Sequence, residues 1–307
     1  MAVDTTPKLN VRQTLLAKIE TTTGTAIALA AGDGQMNVYN VQHSYDIPME
    51  ARPGQAGYSK LESVAGTQYA SIEFDCDLTG GGASATYPAF ATTLLLACGF
   101  GQASNVFSLG YQSSQPTLTM GCYIDGVKFA IAGAAGTVKF PLRAGFPCKT
   151  MHFKFMGKVV ADSDVALVTP TAFNVLPPRF AGNTLSIAGS YTPYISQIEI
   201  DVNNTLQLRP YQADSTGASA CYIVDRTPQI TLDPELQLVA TRDWLTKLTG
   251  YTTESLSVAV GTSAQNIITF ASTYAQWLDV GLGDRNGYKT RQVKGQLCRD
   301  SFSITFT

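Results

Sequence analysis

Two histidines, six cysteines, a glycine run and two short acidic rows are the groupings in this sequence whose types and spacing suggest chemistry. His43 stands in a stretch with little periodicity and has no second histidine near it. His152 falls in a strand pattern, on the face opposite Met151 and Phe153, as a solvated or interface histidine would. Neither belongs to a G-x-S-x-G, H-E-x-x-H or P-loop motif, and no such motif occurs. Cys76, Cys98, Cys122, Cys148, Cys221 and Cys298 are scattered without a C-x-x-C pair. That spacing reads as small buried apolar residues in a reducing compartment, not as bridges or metal ligands. Gly80 to Gly82 lie between a strand and a helix, where a phosphate cradle would sit. The loop through Thr86 lacks a lysine and the dinucleotide spacing, so a flexible connection is expected. These readings predict no enzyme, no cofactor and no metal.

The acidic rows are Glu73, Asp75 and Asp77 on one strand face, and Asp233 with Glu235 on another. Such spacing would suit a general acid/base pair or a Ca²⁺ site, and a solvated strand face is the plainer reading. Basic residues occupy polar strand positions in both halves: Lys139, Arg143, Lys154 and Lys158, then Lys289, Arg291 and Lys294. Each half therefore offers acidic and basic strands, suited to pairing between copies, where charge sets register more than affinity.

The elements carrying these residues repeat. Residues 71–78 alternate, with Ile72, Phe74, Cys76 and Leu78 expected inward and the acids outward. A short helix follows, with Pro88 in its first turn and Gly99 at its end. Strands are predicted at 117–124, 127–132, 137–143 and 149–160. In the second half, 229–238 alternates with Ile230, Leu232, Leu236 and Leu238 inward, and Pro234 marks a bulge or edge. A helix capped by Thr241 and closed by Gly250 spans 241–249, followed by strands at 255–260, 266–271, 274–280 and 288–297. The order strand, helix, then about four strands thus occurs twice. The reading is mainly β: two tandem β-sandwich or half-barrel units, 1–160 and 191–307, joined by a Pro- and Gly-rich strap at 161–190. Residues 42–68 carry three glycines and two prolines with little periodicity and read as a long functional loop. Pro48, Arg52, Tyr58 and Lys60 are its candidate contacts for stacking.

Composition narrows the function classes. Charged residues make up 14% of 307 residues, with net charge −2, against a usual charged share of roughly 25%. A near-neutral chain lacks the basic stripe of a nucleic-acid reader. No apolar run is long enough for a membrane helix. Met1 to Pro7 lacks the basic start and apolar run of a signal peptide, so synthesis in a cytoplasm is expected.

Four stretches resemble the tail tube proteins of siphovirus-type bacteriophages. They are 15–25, 71–78 with the helix ending 94–100, 134–140 leading into 149–158, and 227–236 with its following helix. The resemblance implies strands of neighbouring copies joining into a closed barrel, and rings stacking around a tape-measure protein to form a channel for DNA, with the acidic rows facing that channel or a neighbouring copy. It also implies tail terminator and baseplate partners, and a virion location. The family commonly places six single-unit subunits in a ring. A chain with two units is then expected to form a trimeric pseudo-hexamer, or a hexamer if its halves act as one. The alternatives are a tail ring protein that does not polymerise and a β-sandwich receptor- or carbohydrate-binding module. The two tryptophans, Trp244 on the predicted helix and Trp277 on a strand, look structural and speak against the module.

Overall fold

The computed structural model describes residues 7–9, 11–54, 57–83, 86–171, 173–183 and 185–307. The readings of Met1 to Thr6, and of Ser84 and Ala85 in the glycine loop, lie outside the described residues. Nineteen strands are described. They are β1 (Gln13–Ile19), β2 (Val38–Asp46), β3 (Met49–Arg52), β4 (Leu61–Ala65), β5 (Tyr69–Cys76), β6 (Phe100–Ala103), β7 (Val106–Leu109), β8 (Leu118–Ile124), β9 (Val127–Arg143) and β10 (Met151–Asp164). The rest are β11 (Leu185–Ile187), β12 (Gln197–Asp201), β13 (Asn204–Pro210), β14 (Ala218–Arg226), β15 (Gln229–Leu232), β16 (Thr253–Val260), β17 (Ile268–Arg285), β18 (Tyr288–Leu297) and β19 (Ser303–Phe306). A π-helical turn, Ala91–Leu95, and helix α1, Trp244–Thr249, are short. None of the described helices is long and apolar enough to cross a membrane.

Fifteen strands form one antiparallel sheet, in which eight run in the order β2-β5-β10-β9-β12-β15-β18-β17. The same pairings recur in each half. β2 and β12 pair β5 and β15, which pair β10 and β18, which pair β9 and β17. β8 and β16 pair the starts of β9 and β17, and take β1 and β11 on their other edges. Between β2 and β5 the chain makes the hairpin β3–β4, and between β12 and β15 the hairpin β13–β14. The β6–β7 hairpin has no such counterpart and closes on β19.

The alternating pattern explains the core. Ile72, Phe74 and Cys76 on β5 are essentially inaccessible, as are Phe153 and Phe155 on β10. Phe74 stacks on Phe153 with ring centroids 5.4 Å apart. Phe140 of β9 meets Phe270 of β17 at 5.1 Å, so one core spans both halves. Two buried carboxylates brace it. Glu20 accepts from Gly24 N, Gly133 N, Thr117 Oγ1 and Thr119 Oγ1 at 2.6–2.9 Å. Glu254 accepts from Trp277 Nε1 at 2.8 Å and pairs with buried Arg242 and with Lys247.

Several expectations are corrected. The predicted pairs 127–132 with 137–143, and 266–271 with 274–280, are single long strands, β9 and β17. β9 passes through a bulge opposite Gly157, and β17 through one between Ser272 and Ala275 against β16 and a second opposite Gly295, which lets alternation change phase without ending the strand. β15 stops at Leu232 because Pro234 cannot donate to a ladder, so Leu236 and Leu238 are exposed instead of inward. Helix α1 begins at Trp244 and its cap is Asp243, whose carboxylate accepts from Thr246 N, not Thr241. Residues 42–68 are not a plain loop: they contain the end of β2 and the hairpin β3–β4. The strap 161–190 takes in the end of β10 and all of β11.

Candidate assembly interface

Along the eight-strand run, outward side chains meet in cross-strand pairs. Lys154 lies opposite Glu73 and His152 opposite Asp75. Both contacts are made, Nζ to Oε1 at 2.5 Å and Nδ1 to Oδ1 at 3.0 Å. Lys139 lies opposite Asp201 and reaches it at 3.2 Å, with Glu199 at 3.3 Å. Burial disfavours the Lys139 charge, and the two carboxylates outweigh that, so its pKa is raised. Lys158 reaches Asp214, between β13 and β14, at 2.7 Å. Hydrogen bonds from Lys158 and Thr216 hold the Asp214 carboxyl down at about 2.

The remaining acids part company with the expected rows. Asp77 is buried, not outward, because β5 and its alternation end at Cys76. It accepts from Asn37 Nδ2 and Tyr39 Oη at 3.2 and 3.1 Å. Burial nonetheless raises its pKa. Asp233 accepts from Ser196 N and Gln197 N, both at 2.9 Å, from Ser196 Oγ, and from Arg285 at 2.9 Å. Burial pushes its pKa up, and these donors more than reverse the shift. Glu235 takes the other arm of Arg285 at 2.6 Å. Asp233 and Glu235 thus clamp one guanidinium.

Among the basic residues, Lys289 is exposed and 3.6 Å from Asp284. Arg143 and Lys294 line one groove with Glu199, Thr231 and Asp284. Arg291 is half-buried, and its Nε has no hydrogen-bond partner among the described residues. Pro48, Arg52, Tyr58 and Lys60 are all exposed on or beside the hairpin β3–β4. His43 lies on β2, stacked on Phe129 at 5.2 Å, and burial lowers its pKa. Five cysteines are buried, Cys298 is half-buried, and all six are free. No group of three or more His, Cys, Asp or Glu among the described residues is arranged to hold a metal.

Sequence reading missed Glu199, Asp201, Asp214 and Arg285, which complete these pairs. The alternation of residues 197–202 carried the first two. Asp214 and Arg285 become partners only through the folded register.

The ends of the eight-strand run are open. Among the described residues, β2 pairs with β5 alone. β17 has β18 along one edge; on the other it has β16 only as far as Gln276, and no described strand follows residues 278–285 there. Open edges are sites for pairing with another chain. The hairpin β3–β4 exposes Met49, Leu61 and Val64, and β17 exposes Leu278 and Leu282.

No curated protein matches the chain. A family model described as phage tail tube protein matches residues 10–297, nearly the whole length. The chain therefore belongs to the phage tail tube protein family, and is a non-enzymatic structural subunit of the virion tail.

Proposed function

We propose that this subunit builds the tube of a long, non-contractile tail, three copies closing each ring with pseudo-sixfold symmetry. The observation that carries the proposal is the repeated strand order, β2-β5-β10-β9 followed by β12-β15-β18-β17. Each half then acts as one tail-tube unit, 1–160 and 191–307, joined through 161–190. Six copies would be needed only if the two halves acted as a single unit. Eight strands per copy make twenty-four in three copies. At a spacing of about 4.8 Å the closed circuit is about 37 Å across at the backbone, before strand tilt widens it.

The charge pattern supports a channel. Lys154 offsets Glu73 and Lys139 offsets Asp201 across adjacent strands, and Asp75 is bonded to His152. A face of this kind turned inward offers phosphates little net positive potential, so DNA passes without being gripped. Rings stack around a tape-measure protein, with terminator and baseplate proteins at the ends of the tube. Pro48, Arg52, Tyr58 and Lys60 reach the next ring.

Negative-stain microscopy of the purified chain over a range of concentrations tests this reading. Tubes with a central channel and three-fold end views are expected. Single rings that never stack, or monomers at every concentration, would overturn it.

A further inference from the structure

The junction between the two halves supplies a template for a contact that the chain cannot make with itself. β12 lies along β9 with Asp201 opposite Lys139, Ile200 opposite Phe140 and Glu199 opposite Pro141. Beyond it, Val202 N donates to Val138 O. β12 occupies in the second half the place that β2 occupies in the first, but no described strand pairs with the outer edge of β2. The edge of β17 that corresponds to this part of β9 is open too.

The correspondence can be set residue by residue. Gly157 and Gly295 mark the same bulge: an added Cβ would lie 2.8 Å from Ala132 O and 2.9 Å from Gln276 O, respectively. One residue further on, the row Asp46, Tyr69, Lys158, Ala132 runs across the first half. Asp201, Gln229, Gln296, Gln276 runs across the second. Asp46 therefore answers to Asp201. Seven residues beyond Ala132 and Gln276 stand Lys139 and Gly283, which answer to each other.

We infer that β2 of a second copy adds to the open edge of β17, antiparallel, with Asp46 opposite Gly283, Tyr45 opposite Asp284 and Ser44 opposite Arg285. Ile47 N then donates to Leu282 O, as Val202 N does to Val138 O. The occupant is another copy of this chain, because the strand that fills the equivalent edge inside the molecule is the equivalent of β2. The hairpins agree with this. β14 buries Ala218, Ala220 and Cys221, with Ala220 against Gly133 of β9. Its counterpart, β3–β4, leaves Met49, Leu61 and Val64 uncovered, and β17 leaves Leu278 and Leu282 uncovered. A neighbour seated on β17 brings these two apolar surfaces together. The inference rests on the tube reading and adds the edges and register through which copies meet.

The test is oxidative cross-linking of the full chain in a Cys298→Ser background, which removes the one thiol that is not buried. Directly opposed strand residues lie at a Cα separation a disulfide can span. Tyr45→Cys mixed with Asp284→Cys should give a covalent dimer that neither variant forms alone. The double variant should give a ladder that stops at three copies. Tyr45→Cys mixed with Leu278→Cys, out of register, should stay uncross-linked. Tubes that assemble without the Tyr45–Asp284 link, or that link equally at Leu278, would overturn the seam and leave the tube reading standing. A chain that stays monomeric at every concentration would overturn both.

Discussion

Replacing Glu254 by Gln should be among the costliest single-atom changes in this protein, and its cost should depend on pH in a defined direction. Glu254 is 7% exposed on β16 and is held by Arg242, itself 8% exposed, by Lys247 at 3.0 Å and by Trp277 Nε1 at 2.8 Å. Burial alone would raise its pKa. Hydrogen bonds from Arg242, Trp277 and Lys247, with the Arg242 charge, reverse that and bring it from 4.5 to about 2. A shift of that size corresponds to about 3 kcal/mol in favour of the folded state. Because the folded pKa is the depressed one, this stabilisation is complete above the unfolded value near 4.5 and is lost as pH falls towards 2. The Gln variant keeps the shape and an acceptor for Trp277, but leaves the Arg242 guanidinium buried without a counter-charge, a loss of about 3–5 kcal/mol. Urea unfolding of both proteins at matched concentration, from pH 7 down to pH 2.5, gives the difference directly. The gap should be near 3 kcal/mol at pH 7, hold to about pH 5 and narrow below it. A gap under 1 kcal/mol at pH 7, or one that does not change with pH, would refute the reasoning.

Gly157→Ala and Gly295→Ala should each lower stability by about 1–3 kcal/mol, since the added methyl meets a carbonyl oxygen at 2.8 or 2.9 Å; matched thermal-melting losses would mark them as equivalent positions, and a neutral result at either would contradict the shared bulge. A thiol reagent should modify one cysteine quickly in the folded chain, Cys298, with Cys298→Ser abolishing that phase. Burial raises the pKa of Cys122 to about 11 and of Cys148 and Cys221 to about 12, and raises Cys76 and Cys98 as well, so rapid labelling at any of these would contradict the packing.

Local pattern was enough to read the strand content and the inward face of β5, because alternation over Ile72, Phe74 and Cys76 leaves only one side to bury. The repeated order of elements was legible for the same reason. Alternation cannot say where a strand continues through a bulge, so by pattern alone β9 and β17 each divide in two. Nor can it show that Pro234 ends β15, which leaves Leu236 and Leu238 in solvent. The charged rows show the limit most clearly. Glu73 and Lys154 are far apart in sequence, and only the β5–β10 register makes them a pair; only the turn of the chain past Cys76 buries Asp77. The open edges of β2 and β17 were invisible as well, since an edge is defined by the partner a strand lacks. Sequence by itself determined which residues seek the interior. The tertiary structure decided which charges neutralise one another and which edges are left for a neighbour, because both depend on contacts between segments remote in the chain.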